Sequence, residues 1–219
     1  MARIKLQQFA EMKALSNVFE ERTEWAPSTF KGKWSQHFGN NNPIILELAC
    51  GRGDYTLGLA QRFPDQNFIG IDVKGARMYY GAKKALELGL SNVAFLRIQI
   101  EDLLTYFDKD ELSEIWIIFA DPHPRKGSAR KRLTFPRFLK MYVALLQTGG
   151  KLHLKTDHEG LFEYSVETVD GMKDWTLNEV IRDVYKHSED PVLIEIQTTY
   201  EKRHLAEGRT IYYMNAVLG

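Results

Sequence analysis

The chain has 219 residues with 44% hydrophobic content, enough to bury the core of one domain and leaving little room for a second. Its 29 Lys and Arg balance 29 Asp and Glu, so net charge gives no sign of a polyanionic partner and any such case must rest on clustering. A single cysteine, Cys50, excludes an internal disulfide and a multi-cysteine metal site, and no stretch approaches the length of a membrane span.

Residues 1–42 are polar, with Phe19, Trp25, Phe30, Trp34 and Phe38 scattered at no fixed period and a GNNNP turn signal at the end. They read as an N-terminal arm that wraps the domain and tucks in its aromatics, with an arm that stacks on bases as the second reading. The leading MARIKLQQFAEMK has no apolar run of the kind a leader peptide needs, so a soluble, unprocessed, cytoplasmic chain is expected. The domain proper then spans 43–219.

Residues 43–49 (PIILELA) predict a strand, and CGRGDYTLGLAQRF predicts a glycine-bearing turn running into a helix. Gly51 and Gly53 remove side chains where a ligand would approach the backbone, and the helix start offers free N–H groups. After Pro64, NFIGIDV is a second strand ending in Asp72, about 20 residues past the glycines, where doubly wound folds hold ribose hydroxyls. Residues 74–90 carry apolar positions at helical spacing, with Tyr79-Tyr80 as packing residues and Gly89 as the stop. Residues 92–100 alternate as a third strand, a short polar helix covers 103–112, and IWIIFA at 115–120 is a buried strand.

That strand stops at Asp121. Pro122 and Pro124 force the chain out of the sheet as a stiff loop, and Arg125, Lys126, Arg130, Lys131, Arg132, Arg137 and Lys140 follow in the densest positive run of the sequence. A helix over 132–146, a turn at Gly149-Gly150, a strand KLHLK ending at Thr156-Asp157 and a helix over 161–172 come next. The last elements, 191–200 and 210–218, read as strands of a closing antiparallel hairpin. Five alternations of strand and helix followed by a hairpin predict a three-layer α/β fold around a mostly parallel sheet.

The ligand follows from charge. A dinucleotide fingerprint wants a third glycine, yet Thr56 holds that place, and carboxylates at Glu47, Asp72 and Asp121 would repel a pyrophosphate. They suit S-adenosylmethionine, which carries a cationic sulfonium and amino group, a ribose and an adenine, and no phosphate. For Glu47 alone the plainer role is to cap loop N–H groups.

The chain resembles the bacterial tRNA (guanine-N7)-methyltransferases of the class I methyltransferase, Rossmann-like fold. The motifs that carry the resemblance are ELACGRG, GIDVKGAR, NVAFLRIQIEDL, FADPHPRKGSARKRL, LKTDHEG and TTYEKRHLAEGR. The resemblance implies methyl transfer from S-adenosylmethionine to N7 of a guanine in the tRNA variable loop. Glu47, Gly51, Gly53, Asp72, Gln99 and Asp121 would hold the cofactor, with Asp72 on the ribose and Gln99 beside the adenine. Asp121 would line the reaction site as its catalytic residue. Arg125, Asp157, Thr198, Thr199, Tyr200 and Glu201 would contact the RNA. The chain departs from the family pattern at Ala49, which replaces the first loop glycine, at Gln99, where an acid or Asn is common, and at His123, which replaces a tryptophan.

Guanine N7 has a lone pair and no proton, so its methylation needs alignment and no general base; Asp121 is expected to select the base through its N1–H and N2–H₂ edge, or to stabilise the positive charge that develops. The basic run would hold phosphates without regard to sequence. His123, His153, His158 and Asp157 match no metal-binding spacing, no metal being required, and Cys50 reads as a small buried residue. The competing readings are a methyltransferase of a small molecule or protein, a noncatalytic RNA-binding protein of the same fold and, more distantly, a nicotinamide oxidoreductase. The sequence leaves monomer and homodimer open.

Overall fold

The computed structural model describes residues 7–8, 10–12, 14–20 and 27–219; Trp25 of the arm lies outside them. Eight strands form one sheet: β1 (Val18–Phe19), β2 (Ile44–Leu48), β3 (Asn67–Ile71), β4 (Val93–Leu96), β5 (Leu112–Ile118), β6 (Leu146–Thr156), β7 (Trp175–Ile181) and β8 (Tyr212–Leu218). Their order in space is β1-β4-β3-β2-β5-β6-β8-β7. Every neighbouring pair is parallel except those of β8, which runs antiparallel to both β6 and β7.

Alternation along the central strands divides the core in two. Ile44, Leu46 and Leu48 of β2 with Ile115 and Ile117 of β5 point to one face, where α5 (Pro136–Leu145) and α6 (Glu159–Asp170) bury Phe138, Tyr142 and Phe162. Ile45, Trp116 and Ile118 point to the other, against Tyr55 and Leu59 of α2 (Asp54–Arg62) and Met78 and Ala82 of α3 (Gly75–Glu87). This is the three-layer arrangement the pattern predicts. Chain order jumps from β2 to β5 at neighbouring positions, so the crevice of the sheet opens above these two strands. Leu48 pairs with Ile71 on one side and Ile117 on the other, so the three strands end level and the residues after them emerge on one edge.

The arm's aromatics are packed inward. Phe19 and Trp34 are buried in the first core, Phe30 and Phe38 pack against it, and β1 extends the sheet beside β4. Trp34, in α1 (Trp34–Phe38), donates its indole N–H to the carbonyl of Tyr106 in α4 (Leu103–Tyr106) at 3.0 Å.

Several elements differ from expectation. The helix expected over 103–112 ends at Tyr106, and β5 begins at Leu112. The helix expected from Arg132 begins at Pro136, preceded by a 3₁₀ turn over Lys126–Lys131, because Phe135 precedes a proline and is held extended. Gly149-Gly150 lies inside β6, at an irregularity where the pairing shifts register between Leu112 and Glu114 of β5. The largest correction concerns 191–200, which holds no strand and is helical at both ends: after α7 (Val184–His187) come α8 (Pro191–Glu195) and α9 (Thr199–Ala206). Asp190 caps Val192 N–H at 2.8 Å with Pro191 in the first turn, and Thr198 caps Glu201 N–H at 3.0 Å. Besides β6, β8 pairs antiparallel with β7 in place of the expected 191–200 strand; the WTLNEVI of β7 is only partly buried and alternates poorly. No helix among the described residues is long and apolar enough to cross a membrane.

Candidate active site

Glu47 is the penultimate residue of β2; its side chain lies on the α2 face and is 4% exposed. Its Oε2 accepts the backbone N–H of Thr56 at 2.7 Å and also the Thr56 hydroxyl. Thr56 thus stands where a dinucleotide site has glycine because its two donors hold a buried acid. Burial pushes the Glu47 carboxyl up to about 8, with Asp54 and Asp72 adding to the rise and the Thr56 hydrogen bonds opposing it. The side chain also faces a cleft of about 330 Å³ lined by Ala49, Cys50, Gly51, Phe119, Asp121, Thr198 and Tyr200.

Ala49 turns the chain out of β2 with φ of 57°, a left-handed conformation that strains any residue with a Cβ. Gly51 follows at φ 58°, and a Cβ there would meet nothing within 4 Å. Gly53 serves a different end. It is buried, and a Cβ would sit 2.6 Å from the Phe95 ring, so its missing side chain lets the loop pack on β4 and does not open a path to a ligand. Cys50 is buried, which raises its thiol well above the usual range.

Asp72 is buried just beyond β3, its Oδ2 accepting Gly51 N–H at 2.9 Å and its Oδ1 accepting Lys74 N–H at 2.8 Å. It lines a second hollow of about 220 Å³ with Gln99, Ile100, Phe119, Asp121 and Phe138. The two hollows share Ala49, Lys74, Arg77, Phe119 and Asp121, so the strand-end acids Glu47, Asp72 and Asp121 border one continuous depression. Asp121 is exposed and its carboxylate has no protein partner among the described residues. An acidic floor with buried Glu47 and Asp72, and a side-chain-free opening at Gly51, suits a cationic ligand bearing a hydroxylated ring, which would draw Glu47 into its charged form; a pyrophosphate would face the carboxylates of Asp72 and Asp121.

The backbone is bent on both sides of Asp121: Phe119 before it has φ of 48° and His123 after it φ of 43°. Phe119 N–H still donates to Lys155 O at 2.9 Å. Arg132, which packs its guanidinium 4.3 Å from the centre of the Tyr164 ring, donates from Nε and Nη2 to His123 O at 3.3 and 3.2 Å. Arg132 therefore braces the proline loop from within. Arg137 is committed to Glu101 at 3.1 Å, whereas Arg125, Lys126, Arg130, Lys131 and Lys140 are exposed and make no ion pair among the described residues.

The residues expected to meet RNA divide. Thr198 and Tyr200 line the cleft, Tyr200 being 45% exposed. Thr199 ties α9 to α2 instead, its N–H and hydroxyl both donating to Asp54 Oδ2 at 2.9 Å. Asp157, beyond β6, is held by Arg209 at 2.8 Å and lies 3.1 Å from His204 Nδ1. Glu201 is fully buried and cannot face a macromolecule; its Oε1 lies 2.5 Å from the fully buried Lys155 Nζ and accepts from Tyr185 OH at 2.9 Å. Lys155 also donates to Leu193 O at 2.6 Å, and burial lowers its amine below the ordinary range. The alternation of KLHLK, which puts Lys155 on the face of buried His153, and the T-x-x-E capping signature at 198–201 were the available signals for these roles.

The profile of a family described as "Putative methyltransferase" matches residues 41–214. The chain is 43% identical over 220 residues to a tRNA (guanine-N(7)-)-methyltransferase of Cytophaga hutchinsonii, covering 98% of this chain and 97% of that protein. It is 44% identical over 218 residues to the protein of that name from Christiangramia forsetii, covering 96% of each. A crystal structure of the 16S rRNA methyltransferase KamB superposes with a TM-score of 0.62 at 14% identity, covering 86% of this chain and 93% of that one. A 16S rRNA (adenine(1408)-N(1))-methyltransferase from Catenulisporales acidiphilia, solved with its cosubstrate SAM, gives 0.58 at 15% identity, covering 90% and 92%. These solved structures share the fold, and the level of identity to the named relatives settles the rest: the chain belongs to the bacterial tRNA (guanine-N7)-methyltransferase family of class I methyltransferases.

Proposed function

We propose that this protein transfers the methyl group of S-adenosylmethionine to N7 of a guanine in the variable loop of tRNA, acting in the cytoplasm. The observation that carries the reading is the convergence of Glu47, Asp72 and Asp121 on one depression beside a surface of exposed cations, in a chain whose relatives bear the tRNA (guanine-N(7)-)-methyltransferase name.

When bound, S-adenosylmethionine supplies an electrophilic methyl group on a sulfonium. Glu47 gives the floor of the cleft negative potential, Asp72 retains lone pairs for ribose hydroxyls beyond those given to Gly51 and Lys74, Gln99 pairs with the adenine edge, and Gly51 leaves room for the ligand. Asp121, without a protein partner among the described residues, accepts from the guanine N1–H and N2–H₂ groups and so selects the base. Because N7 carries no proton, the protein's task is orientation, which can supply up to roughly 7 to 11 kcal/mol in ideal cases. Thr198 and Tyr200, which line the cleft, border the place of the target nucleotide, Arg125 and Asp157 serve as further contacts to the RNA, and Thr199 and Glu201 act by holding α9.

Unmodified tRNA incubated with the protein and S-adenosylmethionine should yield 7-methylguanosine on nucleoside mass spectrometry. Asp121→Ala should abolish the product and retain cofactor binding. Absence of the product with the wild-type protein, or equal methylation of free guanosine, overturns the reading.

A further inference from the structure

The cleft carries a second group of cations, contributed by the turn after β2 and the start of α3. Arg52 follows Gly51 in the turn after β2, and Lys74 and Arg77 stand at the start of α3; all three are exposed and all three line the depression. None forms an ion pair among the described residues. Beside them is Tyr80, expected from its sequence context to be a packing residue like Tyr79. Tyr79 is 7% exposed, but Tyr80 is 43% exposed and lines the same cleft as Glu47 and Asp121. The Arg52 guanidinium lies 4.4 Å from the centre of the Tyr80 ring, and the Tyr80 hydroxyl accepts from Gln8 Nε2 at 2.6 Å. An exposed cation is thereby held over a ring that is itself tethered.

We propose, building on the function given above, that Arg52 on Tyr80, together with Lys74 and Arg77, forms a second RNA contact that takes a nucleotide flanking the target guanine. A single-stranded nucleotide offers a π-face and an adjoining phosphate, and guanidinium planes and aromatic rings stack on bases whatever their identity. The Arg52–Tyr80 pair receives the base, and Lys74 and Arg77 receive the phosphates. The carboxylate of the cofactor's amino-acid tail has the same anionic chemistry. It is disfavoured because one carboxylate needs one cation at the depth of Glu47, whereas these cations are spread along the exposed rim. Lys131, from the basic run beyond Asp121, lines the second hollow together with Lys74 and Arg77, and the two sets of cations would draw the RNA strand over the acidic floor.

The test uses the full-length protein, an unmodified tRNA transcript and S-adenosylmethionine, with tRNA binding followed across a salt series and cofactor binding followed by calorimetry. Tyr80→Ala and Arg52→Ala should each weaken tRNA binding about tenfold, as loss of one stacked base does, and leave cofactor affinity unchanged. Tyr80→Phe keeps the ring, removes the Gln8 hydrogen bond and should bind tRNA as the wild type does. Lys74→Ala with Arg77→Ala should lower the slope of log K against log salt by about 0.7–0.9 per cation removed. The proposal is overturned if the wild type methylates tRNA while these variants bind it within twofold and with the same salt slope. It is also overturned if Tyr80→Phe loses as much as Tyr80→Ala, or if the variants lose cofactor affinity and not tRNA affinity. A wild-type protein that neither binds nor methylates tRNA removes the parent reading, and this one with it.

Discussion

Glu47 connects burial to ligand binding through a proton. Its carboxyl, ordinarily near 4.5, is pushed up to about 8 in the ligand-free fold, chiefly by burial. Between those values the native state keeps a proton that the unfolded chain has lost, so stability falls as pH rises through the window. The melting temperature of the ligand-free protein should therefore drop from pH 5 to pH 8 more steeply than that of Glu47→Gln. A sulfonium beside this group favours the carboxylate, so cofactor binding near pH 7 should release a proton. Calorimetry in buffers of different ionisation enthalpy should detect that release in the wild type and not in Glu47→Gln; equal buffer dependence in both would refute it. Two residues away, Ala49 holds a left-handed φ that costs about 1–2 kcal/mol with a Cβ. Ala49→Gly relieves this and gives back roughly 0.4–1 kcal/mol in unfolded-chain entropy. A net gain of about 0.5–1 kcal/mol in denaturant unfolding is expected. At this scale the strand-end acids were legible, because an apolar run that stops on a carboxylate says where the sheet edge is. Gly53 was not, because its role depends on Phe95, which faces it only after folding; Glu201 was legible as a helix-start acid but not as the buried partner of Lys155.

Among the elements, the parallel core followed from runs of apolar residues at strand length, and the C-terminal part did not. Residues 191–196 are apolar enough for a strand, but Asp190 and Pro191 start a helix there, and Ile196 packs into space left by Gly58, where a Cβ would lie 2.5 Å away. Helices α8 and α9 are then fastened to the sheet through the Lys155–Glu201 pair, with Tyr185 on Glu201 and Gln197 Nε2 donating to Tyr185 OH at 2.9 Å. Both charges are fully buried, so removing one leaves the other unpaired. Glu201→Gln should destabilise the protein by about 3–5 kcal/mol, and the combined Lys155→Met, Glu201→Leu variant should recover most of that loss. Thermal or denaturant unfolding of the three proteins decides the matter. If the double variant is as unstable as the single one, the buried charge is not what the single substitution exposes. Because α9 presents Thr198 and Tyr200 to the cleft, the same pair sets the position of one wall of the site.

For the molecule as a whole, a formal charge of zero conceals separation by depth: acids on the floor of the crevice, cations around its mouth. The arrangement attracts a small cation and a large anion to one place, since the polymer is too wide to reach the buried Glu47 and the small ligand is not. The cations nearest Asp121 differ in how free they are. Arg132 braces His123 and Arg137 pairs with Glu101, so neither has its full charge available. Lys126, Arg130, Lys131 and Lys140 are exposed and unpaired among the described residues. Replacing these four by Ala should reduce the salt slope of tRNA binding by about 3, at roughly 0.7–0.9 per phosphate contact, and raise the KM for tRNA with little change in the KM for S-adenosylmethionine. Binding measured from low to moderate salt separates this from loss of fold, because an unfolded variant loses cofactor affinity as well. A quadruple variant with the wild-type slope would mean that the basic run is solvated surface and that the polyanion is held elsewhere on the molecule.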